Sequence, residues 1–369
     1  MAGQLTIPVA DHGPMTLLYP KWMPGYHSPQ NPVELFAGLE IKSGDTILDW
    51  RRDPIEVYAF HIDVPEGTER LDISFQFLSP TASSQGDVVV TSEMLNLQWG
   101  RMLVYPAGYY ARRITVEAGV TLPEGWSFAT VLEADKQDGR SASFKPVGLD
   151  VLVDSPLVAG HHSREIALDE SGAVKMQLFA HDSDDRTATN EQIDLHAALV
   201  TQADRLFASR HFDRYCFLVA LSEELGGGGV EHHRSAEIIN RPDYFTKWDA
   251  NLSKRDVFAH EFVHSWNGKF RRGADSWTPS FEVPIQNSLM WVYEGQTQYW
   301  GQVLTARSGL WSTQNALDAL AKVAATYDVR PGGLWRTMAD TTRDPIIAGA
   351  RRFPGQAGSA ARTIIPKAS

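Results

Sequence analysis

The chain has 369 residues, of which 43% are hydrophobic and 21% are charged, so it can form two or three domains with a sizeable core. Its net charge of −11 argues against a nucleic-acid partner, which would favour a basic surface. The single cysteine, Cys216, excludes an internal disulfide and a cysteine-based zinc cluster, and no apolar run approaches the ~18 residues of a membrane-spanning helix.

The first part of the chain, residues 1–165, is predicted to be an all-β domain. Short runs of β-branched and aromatic residues alternate there with Pro, Gly and Asp, and no useful helical period occurs. These runs are Met15–Gly25, Glu56–Pro65, Leu71–Ser79, Asp87–Trp99 and Arg112–Pro123. The opening strand is predicted to begin at Leu5. The first residues contain neither a basic region nor a long apolar one, so no signal peptide is recognisable and a cytoplasmic location is predicted.

The second part, residues 166–352, is predicted to be richer in helix. Two strand-like runs flank Asp169–Gly172, which suits a hairpin, and Arg214–Ser222 is typical of a buried strand. An apolar stripe predicts a helix at Asn190–Ser209. Further helices are predicted at Ser253–Trp266, Ser288–Ser308 and Ser312–Thr326. Strands followed by helices favour a multidomain α+β chain with an N-terminal β domain and a mostly helical second domain.

One segment of the second domain has the spacing of a metal site. In VFAHEFVHSWNGKF, residues 257–270, His260 and His264 are four apart and Glu261 follows the first. Residues i and i+4 share one face of a helix, so both imidazoles can face one ion. This HExxH pattern is typical of zinc peptidases, in which the glutamate acts on a metal-bound water. A histidine-rich surface face is the alternative, but the flanking residues are apolar.

Two acidic residues elsewhere complete the predicted site. A catalytic zinc needs a third protein ligand, and Glu294 in WVYEG is the candidate because a carboxylate in an apolar helix requires a partner. In LGGGGVEHH, Gly228 and Gly229 allow the backbone to approach a ligand closely, and Glu231 can meet a positive charge. The alternative for this segment is a flexible loop with a solvated acid.

Together these motifs resemble a known family. HEFVHSWNGK, WVYEG and GGVEH resemble the glycyl aminopeptidases, PDZ-containing zinc metallopeptidases with a thermolysin-like (gluzincin) catalytic domain. LLYPKWMPGYHSP and DWRRDPIEVYAFHIDVP resemble the N-terminal β domain of that family, and DTTRDPIIAGARR resembles its later catalytic region. The resemblance covers roughly residues 5–352. Members of the family are often exported, so the resemblance points to a periplasmic setting for full-length relatives.

The resemblance implies a function and a role for each site residue. It implies one Zn²⁺ per chain, held by His260, His264 and Glu294, with Glu261 as general base. Glu231 would bind the substrate's amino terminus, as the glycine-rich exopeptidase motif does in related aminopeptidases. The implied substrates are peptides with a free amino terminus and a small first residue, glycine or alanine; no pattern indicates an oligomeric state.

The carboxy-terminal segment departs from the family, whose members continue through a tyrosine pair into a PDZ domain. Residues 353–369 match neither, and a frame displaced by one base permits WPSWQRSADYYSEG in place of residues 354–367. The tail is therefore predicted to be out of frame, which the DNA sequence across Arg352 would decide. A tyrosine of that region stabilises the oxyanion in related aminopeptidases, so the chain is expected to be weakened about 10²–10³-fold.

Two other functions are compatible with the sequence. The first is a catalytically inactive peptide-binding or scaffold protein with the same fold. The second is an endopeptidase, which would cleave a substrate whose amino group is blocked. Zinc content and cleavage of blocked substrates distinguish them from an aminopeptidase.

Overall fold

The fold was analysed in a computed structural model that describes residues 1–226 and 228–349. Its strands are β1 (Ala2–Pro8), β2 (Gly13–Leu18), β3 (Phe36–Ser43), β4 (Thr46–Ile47), β5 (Trp50–Arg52), β6 (Ala59–Val64), β7 (Arg70–Phe77), β8 (Met94–Leu97), β9 (Tyr105–Pro106), β10 (Thr115–Val116), β11 (Gly119–Thr121), β12 (Ser127–Ala129), β13 (Ala134–Asp138), β14 (Ser141–Phe144), β15 (Val147–Gly148), β16 (Leu157–Gly160), β17 (His162–Ala167), β18 (Val174–Ala180), β19 (Tyr215–Leu221), β20 (Gly228–Glu231) and β21 (Ser235–Asn240). Its α-helices are α1 (Leu149–Val153), α2 (Asn190–Phe207), α3 (Asp256–His264), α4 (Thr297–Ser308), α5 (Thr313–Asp328), α6 (Met338–Thr341) and α7 (Asp344–Gly349).

The N-terminal part is built from antiparallel sheets, as predicted. One four-stranded sheet has the order β1-β7-β3-β4 and another the order β5-β6-β2-β9. Buried side chains of β7 alternate with more exposed ones, and Leu71, Ile73 and Phe75 share one apolar cluster with residues of β2 and β6. The two sheets therefore face each other across a common core, as the period-two pattern of their strands requires. Smaller sheets extend this part towards residue 160, and the short helix α1 interrupts it.

Several predicted strand limits were wrong for identifiable reasons. The opening strand begins at Ala2 rather than at Leu5. The strand predicted from Met15 ends at Leu18, because the prolines that follow cannot donate ladder hydrogen bonds. β3 was not predicted at all, since a shift of register between Ala37 and Glu40 breaks the alternation that marks a strand.

The second part contains a five-stranded mixed sheet of order β17-β18-β19-β21-β20. β17 and β18 form the predicted hairpin, while β18, β19 and β21 are parallel. Every residue of β19 is buried, including Cys216, because helices cover one face of the sheet and the N-terminal part covers the other. β20 pairs antiparallel with β21 and forms one edge. The predicted domain boundary after residue 165 lies inside β17.

The helices lie close to their predicted positions. α2 begins with a capping box in which Thr189 and Gln192 bond each other's backbone, and this fixes the start of the helix. α3 and α4 pack against each other where Gly301 lies; a Cβ there would be 3.1 Å from Cα of His260. Across the described ranges, no helix combines the length and the apolar character needed to cross a bilayer. The tail predicted to be out of frame, residues 353–369, lies outside those ranges.

Candidate metal centre

The two histidines of α3 point at one spot, as their spacing predicts. Their Nε2 atoms are 3.1 Å apart, and His264 is almost fully buried. On its other side, Nδ1–H of His264 donates to the carbonyl oxygen of Asn267 at 3.0 Å. Because that bond fixes the tautomer, the Nε2 lone pair of His264 is free to face the spot shared with His260.

Glu294 brings a carboxylate to the same spot from another element. Its Oε2 lies 3.3 Å from Nε2 of His260 and 3.5 Å from Nε2 of His264. Burial alone would raise the pKa of the Glu294 carboxyl, but the His264 imidazole and the hydrogen bonds around it hold that pKa well below its usual range. Glu294 is therefore an anion aimed at two imidazole nitrogens.

The backbone that carries Glu294 is a π-helical turn, Trp291–Gln296, which continues into α4. A regular α-helix was predicted from Ser288, so the prediction missed this feature. Asn267, just beyond α3, donates from Nδ2 to the carbonyl oxygen of Val292 at 2.8 Å. A π-turn changes the usual i→i−4 bonding, and this amide satisfies one of its carbonyls. The side chain of Asn267 thus connects the end of α3 to the turn that presents Glu294.

The three side chains fit a zinc ion. One ligand atom from each of His260, His264 and Glu294 lies within 4.8 Å of the others, and two imidazoles with one carboxylate are a donor set that zinc uses in catalytic sites. The His264 imidazole is buried, which disfavours its charge, yet the neighbouring Glu294 raises its pKa to about 9. The cluster therefore attracts positive charge, and a divalent cation would replace the proton.

The side chain of Glu261 lies between its own helix, α3, and the edge strand β20. It is 5% exposed, and burial raises the pKa of its carboxyl to about 7. One oxygen of Glu261 lies within 4.8 Å of a carboxylate oxygen of Glu231 and of a ring nitrogen of His264. A carboxyl group that titrates near neutrality can both accept and release a proton.

The glycines of β20 have two different roles. A Cβ on Gly229 would lie 2.0 Å from Oε1 of Glu261, so the group that approaches this backbone is the Glu261 side chain. Gly228 has a φ of 140°, and a Cβ added to it would meet no atom within 4 Å. Its backbone conformation therefore favours glycine, and no close contact requires it.

We expect Gly229→Ala to damage the site through Glu261. The added methyl group forces the Glu261 carboxylate away from β20. A general base contributes about 10²–10⁴-fold to the rate, so kcat should fall by as much as this factor. Metal binding should persist. The measurement is kcat with zinc content determined on the same sample. Gly332→Ala is the control, because a Cβ on Gly332 meets no atom within 4 Å and its φ lies outside the left-handed region. Unchanged kcat in Gly229→Ala would contradict this reasoning.

Glu231 is the last residue of β20 and lies at one side of the site. It is 4% exposed, so the alternative of a solvated acid on a flexible loop does not describe it. The Tyr293 hydroxyl donates to its Oε1 at 2.6 Å. A Cβ on Gly25, from the N-terminal part, would lie 3.2 Å from its Oε2. A buried carboxylate that accepts from a neutral hydroxyl has remaining acceptor capacity for a cationic ligand.

Two residues of the site were missed by the sequence reasoning. No role was predicted for Tyr293, whose hydroxyl is the partner of Glu231. His27 comes from the loop after β2, and its Nε2–H donates to Oε1 of Glu294 at 2.7 Å. The one local signal for His27 is its position just after a Pro-Gly turn, in a domain in which strands predominate.

Two family models match parts of the chain. The model of the Peptidase M61 N-terminal domain matches residues 3–161, and that of M61 glycyl aminopeptidase matches residues 253–363. The second match extends into the segment predicted to be out of frame. No curated protein matches the chain significantly by sequence.

Solved structures resemble the chain at low sequence identity. An aminopeptidase N family protein from Idiomarina loihiensis is 19% identical, with TM-score 0.72, over 85% of this chain and 53% of that one. Yeast LTA4 hydrolase gives TM-score 0.49 both with bestatin, at 16% identity over 83% of this chain and 45% of that one, and in its native form, at 15% identity over 87% and 48%. The chain therefore spans about half the length of these proteins.

Proposed function

The chain belongs to the M61 glycyl aminopeptidase family, and on that premise we propose that it is a zinc metalloaminopeptidase. It would remove an amino-terminal glycine or alanine from peptides. The observation that carries the proposal is the convergence of His260, His264 and Glu294 on one spot, with the buried acids Glu261 and Glu231 beside it.

In this proposal His260, His264 and Glu294 hold the zinc. When bound, zinc supplies Lewis acidity toward a water molecule and toward the scissile carbonyl. Glu261 acts as the general base, because its carboxylate lies beside the metal ligands and titrates near neutrality. It takes a proton from the attacking water and delivers it to the departing amine.

Recognition of a free amino terminus is assigned to Glu231. Its buried carboxylate would oppose the substrate ammonium, an interaction strengthened by the absence of water. The loop around Gly25 packs directly on Glu231, which closes this side of the site to a longer amino-terminal extension. The rings of His27 and Tyr293 pack 4.8 Å apart next to the two acids, which supports a small first residue.

The proposal predicts a zinc-dependent activity that needs a free amine. We expect one zinc per chain and cleavage of glycyl and alanyl anilides, abolished by a chelator and restored by zinc. Acetylation of the substrate's amino group should abolish cleavage, since it removes the charge that Glu231 opposes. Elemental analysis and release of the aniline are the measurements.

A matched pair of variants tests the role of Glu231. Glu231→Gln should raise KM or lower kcat/KM by roughly 30-fold or more, because losing one partner of a buried charge pair costs about 2–5 kcal/mol. Glu165→Gln, whose side chain is 52% exposed, is the control. Zinc without turnover would favour an inactive scaffold, and full cleavage of the acetylated substrate would favour an endopeptidase; either result contradicts the aminopeptidase proposal.

A further inference from the structure

We propose that His27, contributed by the N-terminal β domain, is a positioning residue of the metal centre. Its hydrogen bond to one oxygen of Glu294 leaves the other oxygen facing the two histidines of α3. This inference rests on the zinc site proposed above, and it makes the N-terminal domain a part of that site.

The two oxygens of Glu294 have different partners. Oε1 accepts the Nε2–H of His27 at 2.7 Å, whereas Oε2 is the oxygen within 3.5 Å of His260 and His264. An ionised carboxylate is an acceptor only, so a donor on Oε1 and a cation at Oε2 satisfy it from both sides. Hydrogen bonds of this kind orient the carboxylate ligands of metals.

The backbone of His27 is held in a conformation that few residues adopt. Its φ of 54° lies in the left-handed region, which is unfavourable for most non-glycine residues and persists only where the surroundings impose it. Asn287 imposes it in part by donating from Nδ2 to the His27 carbonyl oxygen at 2.8 Å. Since Asn287 belongs to the segment before Glu294, the loop is anchored to the element whose side chain it orients.

The ring itself is fixed between the two acids of the site. It packs edge-on against Tyr293, and its Nε2 is 3.8 Å from Oε1 of Glu231. The Tyr293 hydroxyl occupies that oxygen of Glu231. His27 therefore stands between Glu231 and Glu294, where it keeps the carboxylate of Glu294 turned toward α3.

The zinc affinity of the purified 369-residue chain tests this role. We expect His27→Phe, which keeps a ring without a donor, to raise the zinc Kd about 10–100-fold in competition with a chromophoric chelator. His27→Asn should lose affinity similarly, because its amide is too short to reach Glu294, although asparagine tolerates the left-handed backbone. His27→Gln should restore most of the affinity through its longer amide.

His61→Phe is the matched control. It removes a second histidine of the β domain that also donates to a carboxylate, that of Asp53 at 2.9 Å, and it should leave the zinc Kd unchanged. Wild-type zinc affinity in both His27→Phe and His27→Asn would overturn this inference but not the proposed function. A wild-type chain that binds no zinc would overturn the proposed function and this inference together.

Discussion

Glu261→Gln should lower kcat/KM for a glycyl anilide by about 10²–10⁴-fold, the range that a positioned general base contributes. Glutamine has nearly the same shape as glutamate, so it still fills the space against Gly229. Its amide cannot accept the proton that the attacking water must lose. Steady-state kinetics over a range of substrate concentrations is the measurement, and the loss should appear in kcat.

Zinc content separates this effect from the loss of the metal. Glu261 is not one of the three proposed ligands, so Glu261→Gln should retain one zinc per chain. Glu133→Gln is a suitable control, because Glu133 pairs with Lys145 on the surface and its side chain is 49% exposed. Wild-type kcat in Glu261→Gln, with zinc present, would remove Glu261 from the mechanism.

The part of the site that could be predicted from the sequence is the part set by local geometry. The period of an α-helix alone places His260 and His264 on one face, whatever the rest of the chain does. A carboxylate inside an apolar helical segment must find a partner, and this condition singles out Glu294. Both arguments need only a few neighbouring residues, and the structure brings all three side chains together.

The parts that were missed depend on contacts between distant segments. His27 and Glu294 are 267 positions apart, and nothing near either residue specifies the other. The π-turn at Trp291–Gln296 accepts a hydrogen bond from the amide of Asn267, which lies beyond the end of α3 and 25 residues before Val292. A close approach of a ligand to Gly229 was predicted, whereas the group that approaches it in the structure is the side chain of Glu261, which becomes evident only when β20 is packed against α3.

The same reasoning applies to the fold. The β17–β18 hairpin was predicted from its turn residues, and α2 was predicted from its apolar stripe. β3 was missed because an irregular register, produced by pairing with β7, interrupts its pattern. Tertiary pairing overrides local pattern most strongly in such strands, so their limits are the least predictable.

Glu294→Gln should weaken zinc binding more than any change at His27. Loss of an outer partner costs about 10–100-fold in metal affinity, and Glu294 is a proposed ligand, so its loss should exceed roughly 100-fold. A neutral amide also removes the anion that attracts the cation to this buried cluster. Chelator competition is again the measurement, and wild-type affinity in Glu294→Gln would exclude Glu294 as a ligand.

Combining the two changes tests how His27 acts. If His27 serves the metal through the orientation of Glu294, then His27→Phe should cause no further loss of zinc affinity once residue 294 is glutamine. Residues that share one interaction give non-additive effects, whereas independent residues give effects that add. Losses that add in the double variant would mean that His27 contributes to the metal centre by a route that bypasses Glu294.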